Sequence, residues 1–198
     1  MQNTTENIER KDKLNIDRDF VHLHLHTEYS LLDGSGKISN MVGRAKDLGM
    51  KALAITDHGA MYGTVDFYKE CKKVGIKPII GCEIYVVPGN MADKTLNNNP
   101  IHHLVLLCKN ETGYKNLMRI VSEGSINGFY YKPRVDHAFL EKHSEGLIAL
   151  SACLGGEVQE NLNHEMPGKA RAAAEFYRDT FKDGFYLEIQ DHGLLEQK

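Results

Sequence analysis

Residues 51–87, KALAITDHGAMYGTVDFYKECKKVGIKPIIGCEIYVV, read as a strand, a helix and a second strand in one unbroken run. Lys51–Thr56 is short and apolar, and Pro78–Val87 carries Ile79, Ile80, Ile84, Val86 and Val87. Between them Val65–Val74 has helical spacing and stops at Gly75. Strands that alternate with helices predict parallel strands with helices packed outside, as a barrel or a doubly wound sheet. In both arrangements reactive side chains gather at the C-terminal ends of strands and in the loops that follow.

The pattern continues in both directions. Upstream, Phe20–His26 reads as a strand and Lys37–Leu48 as a helix closed by Gly49. Downstream, Pro88–Pro100 is a loop, His103–Cys108 a strand, Gly113–Val121 a helix and Gly124–Val135 a loop containing FYYKPR. Leu147–Ser151 is a strand, Gly156–Asn161 and Lys169–Phe181 are helices, and Phe185–Gln190 is the last of six strands. Residues 1–19 are polar and lack an apolar period, so a flexible extension is expected there, with one domain over 20–198.

Composition narrows the function. Charged residues make up 26% and hydrophobic residues 41% of the 198, the balance of a soluble globular domain. A net charge of -3 argues against a module that is basic throughout for nucleic-acid binding, though not against a local phosphate pocket charged by metal. No apolar leader and no run long enough to span a membrane is present, so a cytoplasmic location is expected. The four cysteines form no C-x-x-C pair and suggest neither a zinc ribbon nor a disulfide framework.

The chemistry-bearing residues sit beside the strands. His22, His24 and His26 alternate, which in a strand puts all three on one face. A lone histidine is ordinarily a satisfied core residue, but three on one face suit a metal. Asp57 and His58 end the next strand, as a carboxylate that orients and a histidine that ligates. Glu83 lies in an apolar strand, where an unpartnered carboxylate would be expensive and a cation would satisfy it. His102 and His103 begin the following strand. Taken alone, Asp33 before Gly34 reads as a turn residue and Cys153 as a small buried apolar residue. A fold with parallel strands would bring this set together around two or three divalent cations. Such a cluster activates water and neutralises phosphate oxygen, so phosphoester hydrolysis is the natural chemistry.

These stretches, His24-Leu25-His26, Ser30 to Gly34, Thr56 to Gly59 and Gly81 to Glu83, resemble the PHP family of polymerases and histidinol phosphatases. FVHLHLHTEYSLLDG, LAITDHGAMYG, GFYYKPR and GLIALSACLGGEV further resemble its bacterial DNA polymerase III alpha branch, over residues 20–198. The resemblance implies a distorted (βα)7 barrel, here lacking its last strand and a final Asp-x-His pair, so that the chain reads as truncated. It implies His24, His26, Asp33, His58, Glu83, His103 and Cys153 as metal ligands. Glu83 would bridge, with His24 and His26 on one ion, His103 and Cys153 on a second, and Asp33 and His58 on a third. His22, Asp57 and His102 would stand behind the ligands. Zinc, manganese and iron all suit this mixture of donors.

Lys132 and Arg134 are candidates for phosphate or DNA contact, or else part of a solvated loop. Tyr130 and Tyr131 either stack on bases or pack against the barrel. Three functions are open: a metal-dependent 3′–5′ exonuclease within a polymerase, a metal-stabilised structural module, and a small-molecule phosphatase, against which FYYKPR argues. Every ligand position that the chain reaches holds a ligating residue type, which favours an active, metal-loaded site. Expected partners are DNA, further polymerase domains, a proofreading exonuclease subunit and a sliding clamp, with no membrane.

Overall fold

The computed structural model describes residues 20–95 and 99–197. The expected extension at 1–19 lies outside the described residues. In chain order the elements are α1 (Ile38–Asp47), β1 (Ala52–Ile55), α2 (Thr64–Val74), β2 (Lys77–Val87), β3 (His102–Cys108), α3 (Glu111–Ile126) and β4 (Phe129–Tyr130). β5 (Lys132–Asp136), α4 (His137–Lys142), β6 (Leu147–Leu150), α5 (Glu157–Asn163), α6 (Pro167–Phe181) and β7 (Phe185–Tyr186) complete the chain.

The seven strands form a mixed α/β fold around β2. The sheet runs β4-β5-β2-β3-β6-β7, with β1 also beside β2. The first residues of β2 pair in parallel with β1 and its last residues pair in parallel with β5. On its other edge β2 runs antiparallel to β3, with Tyr85 opposite His103 and Glu83 opposite Val105. β3 is antiparallel to β6 as well. The expectation of an all-parallel sheet is therefore corrected at β3. No helix separates β2 from β3 among the described residues, so the chain returns without the crossover that parallel pairing requires.

The main core lies between β2, β3 and β6 and the helices α3 and α6, with Ile84, Leu104, Leu106, Leu117, Ile120 and Tyr177 buried in it. A second core joins α1, α2 and β1 through Val42, Leu53, Ile55 and Phe67. Gly75 ends α2 at φ 79, a left-handed conformation that suits glycine.

Two expected strands are corrected. Residues 20–26 run beside β1 without forming a regular ladder. Ala54 N donates to the His22 carbonyl and Thr56 N to that of Leu25, but Leu25 N turns to the Thr56 hydroxyl at 2.7 Å. Phe185–Gln190 pairs only over Phe185–Tyr186. The expected loop at 124–135 instead holds the end of α3, a short hairpin of β4 and β5, and Arg134. Gly128 and Pro133 punctuate that stretch, and Pro133 is tolerated because its partner is the outermost strand. No helix among the described residues is long and apolar enough to cross a membrane.

Candidate metal centre

Glu83 organises the centre. It sits at mid-length in β2 and is fully buried. Its Oε2 faces His58 Nδ1 at 2.8 Å, His26 Nε2 at 3.1 Å and His24 Nε2 at 3.6 Å. Its Oε1 faces His103 Nδ1 at 2.8 Å and Cys153 Sγ at 3.7 Å. His24 and His26 bring their Nε2 atoms to 3.1 Å of each other, and Cys153 Sγ lies 3.4 Å from His103 Nδ1. Two donor groups could each hold a cation, His24–His26–Glu83 and Glu83–His103–Cys153, and Glu83 belongs to both. Asp33 reaches His58 Nε2 at 2.9 Å from a loop and is largely exposed to solvent. Among the described residues no third group of three donors includes the Asp33–His58 pair.

The local folding explains these placements. β2 carries Glu83 and Tyr85 on one face, and Tyr85 pairs with His103 across the ladder. His58 follows β1 and bridges directly to Glu83. Ala152 is buried with φ 63, an uncommon conformation for a residue with a Cβ, and it redirects the chain after β6 so that Cys153 meets His103.

The groups of the centre act strongly on one another. Burial alone would raise the Glu83 carboxyl, but His103, His24, His26 and His58 outweigh it and hold the group far below the usual carboxylate range. His24 is pushed up to about 10, because Glu188 and Glu83 overcome the opposing effect of burial. His103 rises to about 9, with Cys153 and Glu83 overcoming burial. His58 is raised chiefly by Glu83. Glu83 Oε2, His58 Nδ1 and Glu188 Oε2 are nonetheless buried without a hydrogen-bond partner. His58 Nδ1 and Glu83 Oε2 thus approach to ion-pair distance at an angle that makes no hydrogen bond. Buried lone pairs converging in this way fit a cation, since buried polar atoms otherwise find partners.

Asp57 reaches the centre through a serine. It accepts from Thr27 N at 2.6 Å, Thr27 Oγ1 at 2.8 Å and Ser30 Oγ at 2.7 Å. Ser30 Oγ in turn lies 3.2 Å from His26 Nδ1 and accepts from His58 N.

Three expected roles are corrected. The His22 ring is exposed and packs edge-on against Phe20, because the irregular path of residues 20–26 breaks the alternation. His102 points away from His103, as adjacent strand residues do, and pairs with Glu160 at 2.8 Å. Arg134 is fully buried and donates to the carbonyls of Gly128, Asp93 and Met91, so it has no free face for phosphate. Lys132 does reach the centre's wall, with Nζ 5.1 Å from the middle of the Tyr85 ring.

Glu188, Ser30 and Tyr85 belong to the centre without having been singled out. Glu188 Oε1 lies 2.7 Å from His24 Nδ1, with Gln190 donating to the same oxygen. Tyr85, two residues beyond Glu83 in a strand, was open to discovery by its period. Glu188 is separated by 164 positions from its partner, and no local pattern announces it.

The PHP domain family model matches residues 22–192. The chain is 49% identical over 182 residues to the DNA polymerase III subunit alpha of Treponema pallidum, covering 90% of this chain and 16% of that protein. It is 48% identical over 190 residues to the subunit of the same name from Helicobacter pylori, with the same coverage. It therefore spans about a sixth of the length of these relatives. A solved amidohydrolase from Chromobacterium violaceum, with bound sulfate and no metal, aligns with 52% of this chain and 34% of its own at 24% identity and a TM-score of 0.37. A likeness that slight says nothing about chemistry. The family match spans both donor groups and the loops that join them, and the chain belongs to the PHP domain family.

Proposed function

We propose that this chain is the PHP domain of a bacterial DNA polymerase III alpha subunit, and that its metal centre hydrolyses phosphodiester bonds at the 3′ end of DNA. The observation that carries the reading is Glu83, whose two oxygens face two separate donor groups. A carboxylate so placed is suited to hold two cations side by side. His24, His26 and Glu83 would hold one, and Glu83, His103 and Cys153 would hold the other. Asp33 and His58 would hold a third from the open side. Zinc, manganese or iron, when bound, supplies the charge that activates water and neutralises a phosphate oxygen.

The remaining residues prepare the site. Glu188 fixes the His24 ring through Nδ1, and Asp57 fixes His26 through Ser30. Lys132 stands over Tyr85 beside the centre, a cation suited to pair with a phosphate oxygen. The accessible Asp33 edge favours catalysis over a purely structural role, since structural metal sites are closed by protein ligands. The sheet would belong to a distorted (βα)7 barrel. DNA, the other polymerase domains, a proofreading subunit and a sliding clamp would be its partners in the cytoplasm.

The direct test is a 5′-labelled single-stranded oligonucleotide incubated with the manganese-loaded chain. Stepwise shortening from the 3′ end, abolished by Glu83→Gln, is the expected result. Intact oligonucleotide at high enzyme would contradict the reading.

A further inference from the structure

The β4–β5 hairpin presents a residue that the metal centre leaves unused. Tyr130 pairs with Lys132 across the hairpin, so Tyr131 is its tip. Tyr131 has φ 57, a left-handed backbone that a bulky aromatic residue rarely adopts. It is also 70% exposed, so no burial offsets the strain. Its ring meets that of Tyr130 edge-on at 4.6 Å. Glycine or asparagine would hold this turn with less strain, and contact with Tyr130 still leaves most of the Tyr131 side chain in solvent.

The hairpin is anchored to the metal centre. Lys132 folds inward over Tyr85, whose ring lies 5.2 Å from that of His103 and 6.2 Å from that of His58. Pro133 closes over Gly59, next to His58, so tightly that a Cβ there would come within 2.7 Å of its ring. Arg134 ties the base of the hairpin to three carbonyls. One short segment thus sets a cation toward the centre and an aromatic face toward solvent. A nucleotide has the matching order, with its phosphate at one end and a flat base at the other. Leu31 and Leu32, nearly bare on the Asp33 loop, and Tyr62, bare on the loop after His58, add apolar surface to other loops of the same centre.

We propose that Tyr131 is a stacking platform for an unpaired nucleobase, so that the centre takes the end of a single-stranded polynucleotide rather than a small phosphate ester. The proposal rests on the hydrolytic reading for what happens to the phosphodiester. The stacking can be measured without it.

The test uses the whole chain, a single-stranded oligodeoxynucleotide with 2-aminopurine near its 3′ end, the same strand with abasic residues, and bis(p-nitrophenyl) phosphate. Tyr131→Leu and Tyr131→Gly are expected to weaken binding of the intact strand about tenfold and to remove the quenching of 2-aminopurine. Tyr131→Trp should retain both, and the abasic strand should bind wild type and variants alike. Tyr131→Gly should melt no lower than wild type, because the strained backbone is relieved. Unchanged binding in the Leu and Gly variants, wild-type binding of the abasic strand as tight as that of the intact strand, or a marked loss of stability in the Gly variant would each overturn the proposal. Loss of stacking in these variants while neither ester is hydrolysed would remove the hydrolytic reading and leave the platform standing. Hydrolysis of both esters with binding indifferent to residue 131 would remove the platform alone.

Discussion

A carboxylate buried as Glu83 is would carry a desolvation cost of several kcal/mol with no partners. Four imidazoles and a thiol surround it instead, and three buried atoms nearby remain without hydrogen bonds. Lone pairs that converge in this way suit a cation. Glu188 then matters through His24, since it fixes the ring so that Nε2 faces Glu83. Glu188→Gln is expected to weaken metal affinity about tenfold, the usual scale for a carboxylate behind a ligating histidine. Competition with a chelating dye measures it, and an unchanged affinity would mean that the contact is idle. At this scale the sequence was legible where a residue type is costly without a purpose. Glu83 in an apolar strand and the His24–His26 alternation both announced themselves. Arg134 misled because FYYKPR looks like a basic loop, and only the fold turns its guanidinium inward onto carbonyls.

Among the elements, three helices that the metal centre does not use are joined by one carboxylate. Glu157 on α5 lies 2.9 Å from His137 Nε2 on α4 and accepts from Tyr177 on α6 at 2.7 Å. Burial would raise its carboxyl, but His137 and Tyr177 outweigh burial and lower it. A lowered folded-state value means that the contribution to stability is present above the ordinary value of 4.5 and is lost as pH falls through the depressed one. Glu157→Gln is expected to cost about 1–3 kcal/mol at neutral pH, a fall of several degrees in Tm for a chain of this size. The gap to wild type should narrow in acid, below about pH 4.5. A gap that is constant with pH would assign the loss to packing rather than charge. The helices were readable from their periods, and β2 from its β-branched run. The β4–β5 hairpin and α4 were not, because Gly128, Pro133 and short length mimic a loop.

For the molecule as a whole, alternating elements gave the α/β class correctly and the strand directions only in part. Direction at β3 depends on a connection, and residues 88–101 carry no helical period to reveal whether the chain crosses over or turns back. The site survived that error because both kinds of pairing bring Glu83, His58 and His103 to one place. The two donor groups share Glu83 and so form one centre. Elemental analysis of the chain purified without chelator tests this most directly, with wild type, Glu83→Gln and Cys153→Ser compared side by side. Two or three metal equivalents in wild type, those of the two donor groups lost together in Glu83→Gln and one lost in Cys153→Ser, is the predicted result. Full metal content in folded Glu83→Gln, or none in folded wild type, would contradict it.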